Sequence, residues 1–242
     1  LYFSLLTRSK FKFLFTYKGF YKFLFKIFFT KIFYDNDSEN KISEIKNFLK
    51  FLNFNLDKSD LNTIDKPSVL VRNFDIPSTD KYTLFHLDEK WIFKDYIHTY
   101  KSIEPESEES LIKFIEQLVK KTQRDVLIST GNLPNRFTNF LKKEFFNYNN
   151  NIYQYQVFNH KVFFLDDLSF LKLEKLILSS NLLITCHGAV THVAASSNIR
   201  TIDIIDISEK IFFNKWTSHF DNYISIERNL FKILTNEILD NC

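Results

Sequence analysis

Glycine is scarce in this chain: there are three in 242 residues, Gly19, Gly131 and Gly188. The glycine-rich phosphate loops therefore have no material to form, and both the GxGxxG and the P-loop patterns are absent. Methionine is missing altogether and the chain begins at Leu1. A preceding N-terminal portion is therefore expected, and the chain is read as a fragment. The two cysteines, Cys186 and Cys242, are too few for a disulfide framework and lack the spacing of a metal site, so a reducing compartment is the simpler reading. Neither sign of charge dominates: 32 basic residues face 29 acidic ones, a net +3. That is too mild to imply a nucleic-acid partner. Long uncharged runs are lacking too. The most apolar region, 11–34, is interrupted by Lys12, Lys18, Lys22, Lys26 and Lys31. It never reaches the ~18 apolar residues of a membrane span, and the same lysines exclude a signal peptide.

What is present is a foldable chain. Its 45% hydrophobic residues suffice for a core and exclude a disordered tail. The skew towards Phe, Lys, Asn and Ile reads as coding bias. Residues 1–35 are aromatic and basic. Lys18, Lys22 and Lys26 repeat every fourth position, which predicts a helix with a basic stripe. Two readings stand: a surface helix packed through its aromatic side, or a face lying on a membrane surface or an anionic lipid-linked substrate. The spacing of Ile42, Ile45, Phe48, Leu49 and Leu52 predicts a helix over 41–56. Val69 to Val71 reads as a short strand, and Pro77 to Asp80 as a linker. The domain boundary is placed there, giving 1–79 and 80–242.

Beyond the linker, strands and helices alternate. Strands are expected at 82–87, 125–130, 161–165, 182–184 and 201–205. Helices are expected at 108–121, 136–146, 168–179, 189–197 and 225–239. Such alternation predicts an α/β fold with a parallel sheet covered on both faces. In that architecture ligands bind outside the carboxyl ends of the strands. Gly131 and Gly188 each fall at such an end. In so glycine-poor a chain, both positions need either backbone freedom or close approach of a ligand; an ordinary tight turn is the plainer reading of each.

The segment Asn181 to Asp206, NLLITCHGAVTHVAASSNIRTIDIID, is the most informative. It reads as strand, tight turn, short helix and strand. A helix start offers unpaired N–H groups and the positive end of a dipole, so it favours an anion such as phosphate. Gly188, Ala189 and the small residues that follow would allow close approach. His192 lies one turn in and could donate to a phosphate oxygen, or be a structural histidine. His187 is either a ligand contact or a turn residue. At the same edge, Lys90 in Phe85-His86-Leu87-Asp88-Glu89-Lys90-Trp91 would be a mobile cation near a bound diphosphate, or a solvated lysine. Trp91 is read as a packing anchor.

Competing chemistries are weak. The Asp166-Asp167 pair reads as a loop cap. Cys186, His187 and His192 lack the fourth ligand of a zinc set, and a Cys-His nucleophile is disfavoured because adjacent turn residues rarely face each other.

These residues resemble glycosyltransferase family 9, the ADP-heptose:lipopolysaccharide heptosyltransferases, which have the GT-B fold. The resemblance covers most of 80–242 and, loosely, 38–75. The family's C-terminal domain carries a strand, then Asp-Thr-Gly-Pro-x-His-Leu-Ala-Ala, then a strand. Here the matching residues are His187-Gly188-Ala189-Val190-Thr191-His192-Val193-Ala194-Ala195. The His-x-Ala-Ala end agrees, while His187-Gly188-Ala189 stands in place of Asp-Thr-Gly. Lys90-Trp91 matches a family Lys before a Trp, and Ser129-Thr130-Gly131 matches the end of the second strand. The acidic residue that follows in the family has no counterpart in Asn132-Leu133.

The resemblance implies a Rossmann-like C-terminal domain and a truncated remnant of the N-terminal acceptor domain. It implies inverting, metal-independent transfer of a heptose-like sugar from a nucleotide-sugar to a lipopolysaccharide or other cell-surface glycan, with no cofactor. Nucleotide-sugar contacts are expected at Lys90, Thr130, Gly131, His187, Gly188, Ala189, Thr191 and His192. The catalytic base would lie in the preceding sequence. A cytoplasmic location, peripheral at the inner face of the cell membrane, would follow. The rival reading is a non-catalytic nucleotide- or glycan-binding α/β module.

Overall fold

The computed structural model describes residues 13–16, 31–34, 41–52, 74–78, 81–92, 103–131 and 136–242. The chain divides into two compact units, 1–60 with 211–219, and 61–210 with 220–242. The expected helix over 18–26, the strand at 69–71 and the Asn132-Leu133 pair lie outside the described residues.

In the first unit two short strands, β1 (Phe13–Thr16) and β2 (Lys31–Tyr34), pair in parallel; neither was anticipated. Helix α1 (Lys41–Phe51) follows, shorter than the expected 41–56. Its first turn carries a Lys41–Glu44 ion pair of 2.9 Å.

The second unit is built on an eight-stranded sheet. In chain order it comprises β3 (Thr83–Leu87), α2 (Glu108–Thr122), β4 (Val126–Thr130), α3 (Arg136–Glu144), β5 (Phe146–Asn149), β6 (Ile152–Val157) and β7 (His160–Leu165). Then come α4 (Phe170–Ser179), β8 (Leu182–Cys186), α5 (Ala189–Ser196), β9 (Arg200–Ile205), α6 (Lys210–Thr217), β10 (Tyr223–Glu227) and α7 (Phe231–Asp240). Most of α6 belongs to the first unit.

Across the sheet the order is β10-β9-β8-β3-β4-β7-β6-β5. The six strands from β10 to β7 are parallel; β6 and β5 continue the sheet antiparallel. With β3, β4, β7, β8, β9 and β10 counted one to six, the parallel part reads 3-2-1-4-5-6. That is the doubly wound order, whose switch point falls between β3 and β8.

Alternation along the strands produces two apolar layers. Phe85, Ile128, Phe164, Ile184 and Ile204 point to the face covered by α2, α3 and α7. Leu84, Leu127, Phe163 and Leu183 point to the face covered by α4 and α5. Strands buried on both faces read as continuous apolar runs rather than alternating ones, and all five residues of β3, β4 and β8 are buried. Helix α2 begins at Ser107, which exchanges hydrogen bonds with Ser110 in a capping box. It ends at Gln123 in the left-handed conformation.

Two expectations are corrected. The helix over 136–146 stops at Glu144, and residues 146–157 form the hairpin β5–β6, turned through Asn150 and a left-handed Asn151. The closing helix at 225–239 is a strand followed by a helix. Ile224 and Ile226 pair in parallel with Ile202 and Ile204, and α7 buries Phe231, Leu234 and Ile238 at helical spacing.

Candidate functional site

A cleft of about 500 Å³ opens at the carboxyl ends of the strands beside the switch point. His86 is the penultimate residue of β3, and a short 3-10 turn at Glu89–Trp91 brings Asp88, Glu89 and Lys90 to one wall. Thr130 and Gly131 follow β4. Leu168, Ser169, Phe170 and Leu173 come from the entry to α4, and Ala189 and Val190 from the start of α5.

The turn after β3 is held from several sides. The Asp88 side chain accepts from the Lys90 backbone N–H at 3.2 Å. Trp91 is fully buried and its indole N–H donates to the His86 carbonyl at 3.0 Å. Arg228, buried just after β10, donates to the Lys90 carbonyl at 2.6 Å and approaches the Cys186 sulfur at 3.5 Å. Trp91 is thus the packing anchor expected of it. Lys90, expected as a mobile cation or a solvated lysine, is instead held by two partners and largely screened from solvent. Its ammonium pairs with Asp88 at 3.2 Å and donates to the His187 carbonyl at 3.0 Å. Burial works against the charge on Lys90, but Asp88 foremost, together with Cys186 and Glu89, offsets it and keeps the ammonium pKa above the ordinary lysine value. Burial likewise pushes the Asp88 carboxyl up, opposed by Lys90.

The two glycines are notches for these side chains. A Cβ on Gly188 would collide with the Lys90 ammonium, and one on Gly131 with the Glu89 carboxylate. Gly188 has extended backbone, φ 177°, so close approach rather than strain explains it. Residues 131 and 188 were expected to admit a ligand; the groups nearest them are Glu89 and Lys90.

His86 is enclosed. Its Nδ1 shares a hydrogen bond with the Ser129 hydroxyl at 2.9 Å, and its Nε2 lies 3.9 Å from Asp88. Burial, with Lys90 nearby, lowers its pKa to about 4, so it lines the cleft as a neutral imidazole.

The other expected residues separate from the cleft wall. His187 Nδ1 donates to Asp203 Oδ2 at 2.6 Å. Asp203 is fully buried in β9 and also accepts from Thr191 at 3.1 Å and Tyr223 at 2.8 Å. Thr191 in turn accepts from the Gly188 N–H at 3.3 Å. These bonds fasten the turn between β8 and α5 to the neighbouring strand. His192 is exposed and its ring meets the rings of His187 and Phe220, each at 5.5 Å. Lys90, Thr130, Gly131 and Ala189 therefore line the cleft, while His187, Thr191 and His192 form a separate group on the β9 side of α5. His86, Asp88, Glu89, Asp203 and Arg228 were not singled out. A carboxylate inside the β-branched run Thr201-Ile202-Asp203-Ile204-Ile205 was the legible signal for one of them; nothing local marks Arg228.

Arg228 touches the Cys186 sulfur, and burial pushes that thiol's pKa up, the opposite of what a nucleophile needs. Asp166 pairs with Lys142, and the helix that follows starts from Ser169 without a side-chain cap, so the expected loop cap is not seen. Among the described residues no group of three or more His, Cys, Asp or Glu could hold a metal ion. Nor is any helix among them long and apolar enough to cross a membrane.

No family model matches the chain, and neither the curated proteins nor the solved structures compared with it give a match. What the fold and cleft define is a class: a doubly wound α/β unit with a charged crevice at its switch point.

Proposed function

We propose that the chain is the nucleotide-sugar-binding part of a glycosyltransferase of the GT-B type, similar to family 9, transferring a heptose-like sugar to a cell-surface glycan. The observation that carries this reading is the convergence of Lys90 and the start of α5 on one crevice beside the switch point. A held ammonium and the N–H groups of a helix start cost no reorganisation when negative charge arrives. In a transfer from a nucleotide-sugar that charge develops on the leaving diphosphate as the bond to the anomeric carbon breaks. Lys90 and α5 would stabilise it, and a general base would take the acceptor proton.

Calorimetric titration of the chain with ADP- and UDP-sugars tests the reading. Binding of at least one is expected. Lys90→Ala should weaken it by about 1–3 kcal/mol through loss of a charge-assisted contact. Absence of binding to every nucleotide-sugar refutes the proposal. A non-catalytic binding module is the second reading. The bond between His187 and Asp203 favours it, because the residue standing where the family has an acid serves the turn. Binding without transfer to any glycan acceptor would decide for the module.

A further inference from the structure

Glu89 and Lys90 are neighbours on one 3-10 turn, yet their charged ends diverge. The Glu89 carboxylate lies over Gly131 at the end of β4, and the Lys90 ammonium over Gly188 beyond β8. Strands β4 and β8 flank β3 on opposite sides, so the two notches are two strand spacings apart, ~10 Å. Both side chains line the same cleft. Their partnering differs. Lys90 is satisfied by Asp88 and the His187 carbonyl. Among the described residues Glu89 Oε2 is buried and meets no hydrogen-bond partner. Buried polar atoms are almost always paired, and a carboxylate oxygen without a donor is costly.

The chemistry of the missing partner follows from the charges. An anion would be repelled by Glu89 and drawn to the Lys90 end. A carboxylate accepts and does not donate, so the group it awaits brings O–H or N–H. Thr130, which precedes Gly131, lines the same cleft. A molecule that suits both ends carries phosphate at one and hydroxyl groups ~10 Å away.

Resting on the glycosyltransferase reading, we propose that Glu89 is a specificity-determining residue that accepts hydrogen bonds from the hydroxyl groups of a phosphorylated sugar or nucleoside whose phosphates lie at the Lys90 end. The ribose of a nucleoside diphosphate and the ring of a sugar phosphate supply the same chemistry, and the test separates them.

The chain and its Glu89→Gln and Glu89→Ala variants are titrated with pyrophosphate, ADP, 2′,3′-dideoxy-ADP and glucose 1-phosphate, with chelator present so that no metal bridge contributes. Glu89→Ala is expected to lose about tenfold in affinity for the hydroxyl-bearing ligand, with Glu89→Gln intermediate, for one charge-assisted bond. Pyrophosphate should bind the variants as well as or better than the parent, because a negative charge has gone. A loss confined to ADP and not to its dideoxy form identifies the ribose; a loss confined to glucose 1-phosphate identifies the sugar. Equal shifts for pyrophosphate and the hydroxyl ligands, or no shift for any, would overturn the inference while leaving the diphosphate cradle intact. Glu89-dependent binding of a hydroxyl ligand without any affinity for pyrophosphate would overturn the cradle alone, and no binding at all would overturn both. The variants' Tm should match or exceed the parent's, since the buried oxygen has no partner to lose. A marked fall would mean that Glu89 holds the fold, and would also overturn the inference.

Discussion

Replacing Asp203 should damage the second unit more than any single apolar truncation at its surface. Its carboxylate is fully buried and receives three donors, His187 and Tyr223 at Oδ2 and Thr191 at Oδ1. Asp203→Ala removes the acceptor and leaves three partly or wholly buried donors facing a cavity. Breaking such a buried charged group out of its network costs about 3–5 kcal/mol. Asp203→Asn keeps the shape. Its amide oxygen can still accept from His187 and Tyr223, while its NH2 faces the Thr191 hydroxyl, which can rotate to accept. All three charge-assisted bonds become neutral, about 0.7 kcal/mol each, so about 2 kcal/mol is lost. Tyr223→Phe removes one donor and leaves the carboxylate two others, for about 1 kcal/mol. The series Ala, Asn, Phe should thus fall in that order within a native stability of about 5–15 kcal/mol. Urea denaturation in a Trp216→Phe background, so that the fluorescence is that of Trp91 buried in the same unit, reads it as a shift in midpoint at constant slope. A cost below about 1 kcal/mol for Asp203→Ala would refute the claim that this carboxylate fastens the turn before α5.

Two further outcomes follow from the same site. The pKa of His86 in the folded chain, about 4, lies below its ordinary value of 6.5. On acidification the unfolded chain therefore takes up this proton first. The stability it carries is complete above about pH 6.5 and is lost as the pH falls through about 4, a span of about 3 kcal/mol. Denaturation at stepped pH should show that slope in the parent and lack it in His86→Asn; equal slopes would refute it. Cys186 is fully buried with its thiol pKa raised, whereas Cys242 is only partly buried and is pushed up to about 11. Alkylation under native conditions, read by mass spectrometry, should modify Cys242 slowly and Cys186 only after unfolding; native labelling of Cys186 would contradict the packing around Arg228.

The architecture was legible where burial and period agreed. The runs at 83–87, 126–130 and 182–186 are largely apolar and buried on both faces, as a doubly covered sheet requires. Legibility failed where two signals overlapped. Tyr223 to Glu227 alternates as a strand should, but it runs into the helical spacing of Phe231, Leu234 and Ile238, and the longer pattern masked the shorter. The hairpin at 146–157 was available in the alternation Ile152-Tyr153-Gln154-Tyr155-Gln156-Val157 and the preceding asparagines, which tolerate a left-handed turn. It was hidden by the amphipathic helix ending beside it.

The candidate site divides along a different line. Scarcity made Gly131 and Gly188 conspicuous, and Gly131 lines the crevice while Gly188 packs under the Lys90 ammonium, but scarcity cannot say what approaches a glycine. The answer lies in a third segment, the turn after β3, whose Glu89 and Lys90 fill the two notches from a strand that the sheet places between them. His187 was ambiguous for the same reason. Read within its own turn it faces a possible ligand; in the folded chain its partner is Asp203, one strand across in the sheet. A charge inside a β-branched run cannot stay buried without donors, so Asp203 itself announced that something nearby must pair with it. Strand adjacency, which no local window contains, is what selected His187, Thr191 and Tyr223 for that role and left Lys90 and Glu89 to form the crevice.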